Sequence, residues 1–199
     1  MPTPHLVLTR RFADAVFYAA DLHRDQARKD TTIPYLSHLL GAAAFVMEQE
    51  GTTEDQAIAA LLHDAIEDQP DRTTFAGIEE QFGADVATIV RDCTDAEVHP
   101  KPPWKKRKVE YLAHLEQAPV ASLQVSLADK LHNARAILTD LQTIGPQVWD
   151  RFNAPSAEQG WYYTSLAEVF VRRLDSPTAH ALGATVEAIV AHIPEGTDD

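Results

Sequence analysis

Hydrophobic residues recur at intervals of three and four along most of this chain, which is the spacing of one face of an α-helix. Leu123, Leu127 and Leu131 show this spacing in the longest such segment, and no segment alternates between hydrophobic and polar residues for the length of a strand. The pattern predicts helices over about residues 9–26, 36–50, 52–68, 74–82, 84–93, 104–117, 122–143, 156–174 and 176–193.

Capping and helix-breaking residues mark the ends of these helices. Gly51 and Gly83 separate neighbouring helices, and Thr52–Asp55 resembles a capping box at the start of the third helix. Ser176 followed by Pro177 is typical of an N-cap with proline in the first turn. Because no linker or internal repeat divides the chain, we expect a single all-α helical bundle over residues 1–199, with its core at about residues 10–193.

Charge limits the partners that the chain can bind. It carries 17 basic and 30 acidic residues, a formal net charge of -13, and a field of that sign repels nucleic acids and anionic membrane surfaces. An anionic ligand therefore needs a local basic site, and Trp104–Lys108 holds the one basic cluster of the sequence.

Cysteine usage and hydropathy indicate the compartment. Cys93 is the only cysteine, which excludes an intrachain disulfide and a zinc site built from cysteines. No apolar run approaches the about 20 residues that span a bilayer, and the N-terminus does not resemble a signal peptide. We expect a soluble cytoplasmic protein that binds neither nucleic acid nor membrane, and the sequence leaves an oligomer possible.

The pair His63–Asp64 interrupts an otherwise apolar stretch of the third predicted helix, and Glu67–Asp68 follows one turn later. On a helix these four ionisable groups share one sector. Burying three carboxylates together costs several kcal/mol per charge unless a cation accompanies them. The alternative for Glu67 and Asp68 is a solvated acidic helix end beside a core histidine.

Two more residues point to a metal. His38 lies near the start of the second predicted helix, and Asp129 lies among leucine and alanine residues on the long helix. Together with His63 and Asp64 they supply two neutral imidazoles and two carboxylates, a set that suits one divalent transition metal such as Mn, Fe, Zn or Co. Nothing in the sequence alone establishes that these helices converge.

The order of these residues resembles the H…HD…D pattern of the HD-domain phosphohydrolase superfamily. Several segments are similar to the hydrolase domain of RelA/SpoT proteins, and in particular to its stand-alone form, the small alarmone hydrolases. These segments are Gln26–Lys29, Pro34–His38, Ala60–Asp68, Phe82–Gly83 and Leu127–Asn133. The resemblance implies an all-helical HD domain, a single Mn²⁺ ion, and hydrolysis of the 3′-pyrophosphate of ppGpp or pppGpp to GDP or GTP plus pyrophosphate.

The resemblance also implies roles for particular positions. The metal ligands are His38, His63, Asp64 and Asp129. The residues that orient and activate the attacking water are Glu67 and Asp68. The residues that contact the nucleotide are Arg28, Lys29, Asn133 and Tyr162. Lys105 has two interpretations, either part of a patch that collects phosphate or simply the exposed start of a helix.

Two alternatives to this function stay open. One is another HD phosphohydrolase, such as an NADPH 2′-phosphatase, a ppApp hydrolase or a nucleotidase. The other is a non-catalytic module that binds an alarmone, for which a broken ligand set would be the mark, and no ligand is missing here. The family usually has His-Pro where this chain has His38-Leu39, and Ser-Gly-Glu-Pro-Tyr where it has Thr31–Tyr35. These changes leave the choice between guanine and adenine open.

Overall fold

The structure, a computed structural model, describes residues 6–95, 100 and 102–194, so both ends of the expected domain lie outside the described residues. Within these ranges there is no β-strand, which confirms the all-α class. The helices are α1 (Arg10–Leu22), α2 (Leu36–Met47), α3 (Glu54–Leu62), α4 (Ala65–Asp68), α5 (Phe75–Phe82), α6 (Ala84–Cys93), α7 (Trp104–Leu115), α8 (Val120–Ile144), α9 (Ser156–Leu174) and α10 (Pro177–Val190).

Side-chain caps explain why several helices begin where they do. The hydroxyl oxygens of Thr9, Thr74 and Ser176 accept hydrogen bonds from backbone N–H groups in the first turns of α1, α5 and α10. At α3, the Thr53 side chain bonds to the Gln56 backbone while the Gln56 side chain bonds back to that of Thr53. A capping box is therefore present, but it runs from Thr53 to Gln56, one residue after the predicted Thr52–Asp55 box. Such caps contribute about 1 kcal/mol each.

The structure departs from the predicted helices at four places, the first of which is α1, which ends at Leu22 rather than near residue 26. The helix predicted over residues 52–68 is interrupted at His63–Asp64, so that it consists of α3 and the four-residue α4. The helix α2 ends at Met47, and Gly51 lies in the following turn with a φ of 73°. A 3₁₀ helix, Gly145–Arg151, follows α8, and the hydrophobic pattern does not predict it.

The long helix α8 organises the core. It packs against α2, α3 and α6 on one side and against α9 and α10 on the other. Val125 and Ala128 belong to the hydrophobic cluster formed with α1 to α6, whereas Leu127 and Leu131 belong to the cluster formed with α7, α9 and α10. Each fully buried leucine of this kind contributes about 1.5–3 kcal/mol. A polar residue on α8 is therefore enclosed by helices from both clusters.

No helix in the described part of the chain is both long enough and apolar enough to cross a membrane.

Candidate metal centre and nucleotide cleft

Four side chains converge where α2, the α3–α4 junction and α8 meet. Nε2 of His38 lies 3.3 Å from Nε2 of His63. The same His38 atom lies 3.2 Å from Oδ1 of Asp129 and 3.6 Å from Oδ2 of Asp64. Nε2 of His63 lies 3.0 Å from the Asp64 oxygen and 3.5 Å from the Asp129 oxygen. The structure thus supplies the convergence that the sequence leaves open, and we name these four residues the His/Asp cluster.

His63 and Asp64 lie at the break between α3 and α4, and there both side chains point into the cluster. His63 caps the C-terminal end of α3, and its Nδ1 lies 2.8 Å from the carbonyl oxygen of Ala60. Because a carbonyl can only accept, Nδ1 carries a proton and Nε2 is the ring atom that faces the cluster. The Asp64 carboxylate reaches the same point from the next residue and also accepts a hydrogen bond from the Tyr35 hydroxyl at 2.5 Å.

Asp129 is held from two sides by its own helix. Its Oδ2 accepts from Nζ of Lys130 at 2.5 Å, and its Oδ1 accepts from Nδ2 of Asn133 at 2.6 Å. Burial acts to raise the pKa of Asp129, but Lys130 and then His63 outweigh burial and hold that pKa well below its usual range. Asp129 is 4% exposed and remains a carboxylate that presents Oδ1 to both imidazoles.

The cluster requires positive charge at its centre. Burial acts to lower the pKa of His63, but the carboxylates of Asp64 and Asp129 outweigh it and raise that pKa well above its ordinary value. A divalent cation can satisfy the same two carboxylates. His38, His63 and Asp129 each offer a ligand atom within 4.8 Å of the others, and Asp64 adds an oxygen beside both imidazoles. A set of two nitrogens and two oxygens fits a divalent transition metal.

His132 contacts His38 on the side of the ring that faces away from the cluster. Its Nδ1 lies 2.9 Å from Nδ1 of His38, so a His38 that uses Nε2 as a ligand donates its Nδ1 proton to His132. Burial, followed by the nearby His38, lowers the pKa of His132 to about 4, which keeps it neutral and able to accept. A Cβ atom on Gly41 would lie 2.2 Å from the His132 ring, so this contact requires glycine. The sequence order alone gives no sign of this partner for His38.

The predicted catalytic acids lie beside the cluster. Glu67 and Asp68 are both half-buried on α4, directly after the Asp64 ligand position. The Asp68 backbone N–H donates to the Asp64 carbonyl oxygen at 2.9 Å, and its Oδ2 accepts from Nε2 of Gln26 at 2.8 Å. Both acidic residues therefore lie within one helical turn of Asp64, a member of the His/Asp cluster.

A cleft of about 320 Å³ opens from Asn133 along α8. Nη2 of Arg28 donates to Oδ1 of Asn133 at 2.9 Å, so a continuous chain of hydrogen bonds runs from Arg28 through Asn133 to Asp129. Lys29 also lines the cleft, so three of the predicted nucleotide contacts, Arg28, Lys29 and Asn133, lie there. The other lining residues are Thr31, Ile33, Ala136, Ile137, Asp140, Val148, Arg151, Phe152 and Tyr163.

Two predicted nucleotide contacts do not line this cleft. Tyr162 is buried in the C-terminal core, where its ring packs edge-on against those of Trp104 and Tyr163. Lys105 is exposed on α7, with Nζ 3.2 Å from the centre of the Trp161 ring. Adjacent residues on a helix point about 100° apart, which explains why Tyr163 reaches the cleft and Tyr162 does not.

Sequence reasoning does not identify Asp140 and Arg151, which are joined by an ion pair at 2.7 Å on the wall of the cleft. The position of Asp140, two turns beyond Asn133 on the same face of α8, is the one signal for it in the sequence. A larger groove of about 760 Å³ lies between α9 and α10, and no predicted site residue lines it.

Comparisons with known proteins identify the family of this chain. The HD domain family matches residues 15–154. The guanosine-3′,5′-bis(diphosphate) 3′-pyrophosphohydrolase MESH1 of Xenopus tropicalis is 41% identical over 138 residues, which cover 68% of this chain and 72% of that protein. MESH1 of Homo sapiens is 40% identical with the same coverage. The solved structure of a metazoan ortholog of SpoT that hydrolyses ppGpp aligns with a TM-score of 0.70 and 26% identity, covering 93% of this chain and 96% of that one.

Proposed function

We propose that this chain, which belongs to the HD domain family, hydrolyses the 3′-pyrophosphate of ppGpp and pppGpp. Water attacks the phosphorus that is bonded to the 3′ oxygen, the bond between that oxygen and phosphorus breaks, and the 3′ oxygen leaves as a hydroxyl, so the products are pyrophosphate and GDP or GTP. The observation that carries this proposal is the His/Asp cluster, flanked by an acidic pair and connected through Asn133 to a nucleotide-sized cleft.

The His/Asp cluster would hold one divalent metal, for which we propose Mn²⁺. His38 and His63 would bind through Nε2, Asp64 through Oδ2 and Asp129 through Oδ1, since these atoms already face one another. A divalent cation there supplies Lewis acidity toward the phosphate and lowers the pKa of a nearby water. The same ligand types bind Zn, Fe and Co, so the native metal is decided by loading the protein with each.

Glu67 and Asp68 act on the attacking water. Both carboxylates lie within one turn of Asp64, so they border the place where a phosphate held at the cluster meets water. One of them accepts the proton of the water as it attacks phosphorus, and the other orients that water. Proton transfer of this kind accelerates a reaction by about 10²–10⁴-fold.

The cleft binds the nucleoside. We propose that the guanidinium of Arg28 stacks on the base, that Lys29 neutralises phosphate charge, and that Asn133 contacts the sugar between cleft and cluster. Tyr163 takes the place of Tyr162 as the aromatic wall, because Tyr163 lines the cleft. The basic lining also explains how a chain with a net charge of -13 binds a polyanion.

Turnover in the presence of Mn²⁺ tests this proposal. The purified protein is given ppGpp, pppGpp, ppApp or NADPH, and the products are separated by ion-exchange chromatography. We expect pyrophosphate and GDP from ppGpp, no product without metal, and none from an Asp64→Asn variant. Absence of turnover with every alarmone, or orthophosphate released from NADPH alone, would contradict it.

A further inference from the structure

The segment that carries Arg28 and Lys29 connects α1 to α2, and its backbone folds back on itself. The two halves of the segment are joined by hydrogen bonds: the Arg28 N–H donates to the Ile33 carbonyl at 2.8 Å, and the Tyr35 N–H donates to the Gln26 carbonyl at 2.9 Å. An isolated antiparallel bridge between Ala27 and Pro34 completes this pairing. We name residues 26–35 the connector, and its tip lines the nucleotide cleft.

Both ends of the connector contact carboxylates of the candidate site. At one end, Nε2 of Gln26 donates to Oδ2 of Asp68 at 2.8 Å. At the other end, the hydroxyl of Tyr35 donates to Oδ2 of Asp64 at 2.5 Å. One short closed segment therefore contacts a predicted metal ligand and a predicted catalytic acid at once.

The orientation of the Gln26 amide is fixed by its other partners. Its Oε1 lies 2.9 Å from Nε2 of Gln69, which can only donate, and 2.7 Å from Nδ1 of His23. If the Gln26 amide were reversed, its Oε1 would face the Asp68 carboxylate and its NH₂ group would face the NH₂ group of Gln69, so neither contact would be a hydrogen bond. The Gln26 carbonyl therefore has two donors, and its N–H points at Asp68.

His23 ties the two ends of the connector together. It is 2% exposed, its Nδ1 donates to Gln26, and its ring stacks on that of Tyr35 with centroids 5.3 Å apart and planes 24° apart. A buried hydrogen-bonded network of this kind restricts its members to one arrangement.

We infer that Gln26 and Tyr35 are positioning residues, Gln26 for the Asp68 carboxylate that acts on water and Tyr35 for the Asp64 metal ligand. This inference rests on the proposed function for the role of Asp68. Neither residue touches the reacting atoms; each donates one hydrogen bond to a carboxylate and thereby restricts its rotamer. Outer-shell bonds to metal ligands and catalytic groups typically change affinity or activity by about 10–100-fold.

Two substitutions separate the two ends of the connector. Gln26→Leu removes the donor to Asp68, and we expect kcat for ppGpp to fall at least tenfold, while KM and the Kd for Mn²⁺ change by less than twofold. Tyr35→Phe removes the donor to Asp64, and we expect the Kd for Mn²⁺, measured by titration calorimetry without substrate, to rise about tenfold. Gln117→Leu, an exchange at an exposed position of the described chain, is the matched control and should change neither quantity.

A charge variant distinguishes the donor from the shape of Gln26. Gln26→Glu keeps an acceptor for His23 and Gln69 but places a carboxylate oxygen against Asp68, so we expect a loss of kcat at least as large as in Gln26→Leu. Activity restored by Gln26→Glu would overturn the inference, as would equal losses of kcat, Mn²⁺ affinity and thermal stability in Gln26→Leu.

The inference can fail separately from the proposed function. If the wild-type protein does not turn over ppGpp, the proposed function fails, and the connector is tested by crystal structures of the wild-type and Gln26→Leu proteins. An Asp68 side chain that keeps its rotamer without the Gln26 amide would overturn the positioning role, and a rotated Asp68 supports it.

Discussion

Two buried clusters of charge lie in this protein, and they satisfy their carboxylates in different ways. In the first, Asp95, which lies just after α6, is 7% exposed at its side chain, with one oxygen bonded to Arg107 and the other to Lys108 on α7. In the His/Asp cluster, Asp64 and Asp129 face two imidazoles, and Lys130 contacts only the outer oxygen of Asp129. The charge of Asp95 is neutralised by side chains of the protein, whereas the charge of Asp64 and Asp129 is balanced only when a proton or a cation is added to the His/Asp cluster.

This difference distinguishes a group of charges that serves the fold, as around Asp95, from one that can bind a ligand, as in the His/Asp cluster. Burial acts to raise the pKa of Asp95, but Lys108 and Arg107 outweigh it and hold that pKa below its usual range. A carboxylate with its own cations has no need of a ligand, and its removal would leave those cations buried without a partner. In the His/Asp cluster, histidines stand where Asp95 has Arg107 and Lys108. The negative charge of Asp64 and Asp129 can then be balanced by a bound cation.

The largest expected effect comes from removing one carboxylate from the His/Asp cluster. Asp64→Asn takes away a ligand and half of the negative charge that attracts the metal. We expect Mn²⁺ binding to be lost and activity to fall by about 10⁴-fold or more, as when a central catalytic group is removed. Calorimetric titration with Mn²⁺ and a turnover assay measure the two quantities. Metal binding that survives with wild-type affinity would remove Asp64 from the ligand set.

The next effect concerns the acid beside the cluster. Glu67→Gln keeps the size of the side chain and leaves every cluster ligand in place, so Mn²⁺ should still bind. The amide cannot accept the proton of water, and we expect kcat to fall by about 10²–10³-fold. Loss of Mn²⁺ binding in this variant would show instead that Glu67 is itself a ligand.

For Asp95 we expect the opposite result, a loss of stability without a loss of metal binding. Asp95→Asn leaves Arg107 and Lys108, both less than one fifth exposed, without their carboxylate. We expect a loss of about 3 kcal/mol in the free energy of unfolding, with Mn²⁺ affinity unchanged. Urea unfolding measures the loss. The control is Asp14→Asn, which breaks the exposed pair with Arg10 and should leave the free energy of unfolding unchanged within experimental error.

The pH dependence of stability sharpens this contrast. Because the pKa of Asp95 is lower in the folded protein than the value of about 3.9 expected in the unfolded chain, its contribution is complete above about pH 5. It is lost as the pH falls through 4 toward the folded-state pKa. The stability difference between wild type and Asp95→Asn should therefore be constant from pH 7 to 5 and shrink below pH 4. A difference that does not change down to pH 3 would contradict this assignment.

The smallest effect is expected at the cleft. Arg28→Ala removes a donor to Asn133 and the stacking surface for the base but leaves the His/Asp cluster and the acidic pair intact. We expect KM for ppGpp to rise about tenfold with kcat changed by less than threefold. Steady-state kinetics measure both, and an unchanged KM would exclude Arg28 from base binding.

Local sequence signals predicted most of the helices and the identity of the cluster residues. Hydrophobic spacing located α8, and Asp129 stood out there because a carboxylate among leucines requires a partner. The basic cluster on α7 was harder to interpret, since neither a phosphate patch nor an exposed helix start describes Arg107 and Lys108. Both are half-buried and bound to Asp95, twelve and thirteen residues earlier in the chain.

The sequence by itself determined what depends on near neighbours: helix periodicity, the cap at Ser176, the start of α3 to within one residue, and the order in which histidines and aspartates occur. The tertiary structure decided which groups meet. It broke the third helix at His63, turned Tyr163 rather than Tyr162 into the cleft, and placed Gln26 against Asp68. Helix formation follows from contacts within a few residues, whereas the partner of a buried charge depends on how distant helices pack around it.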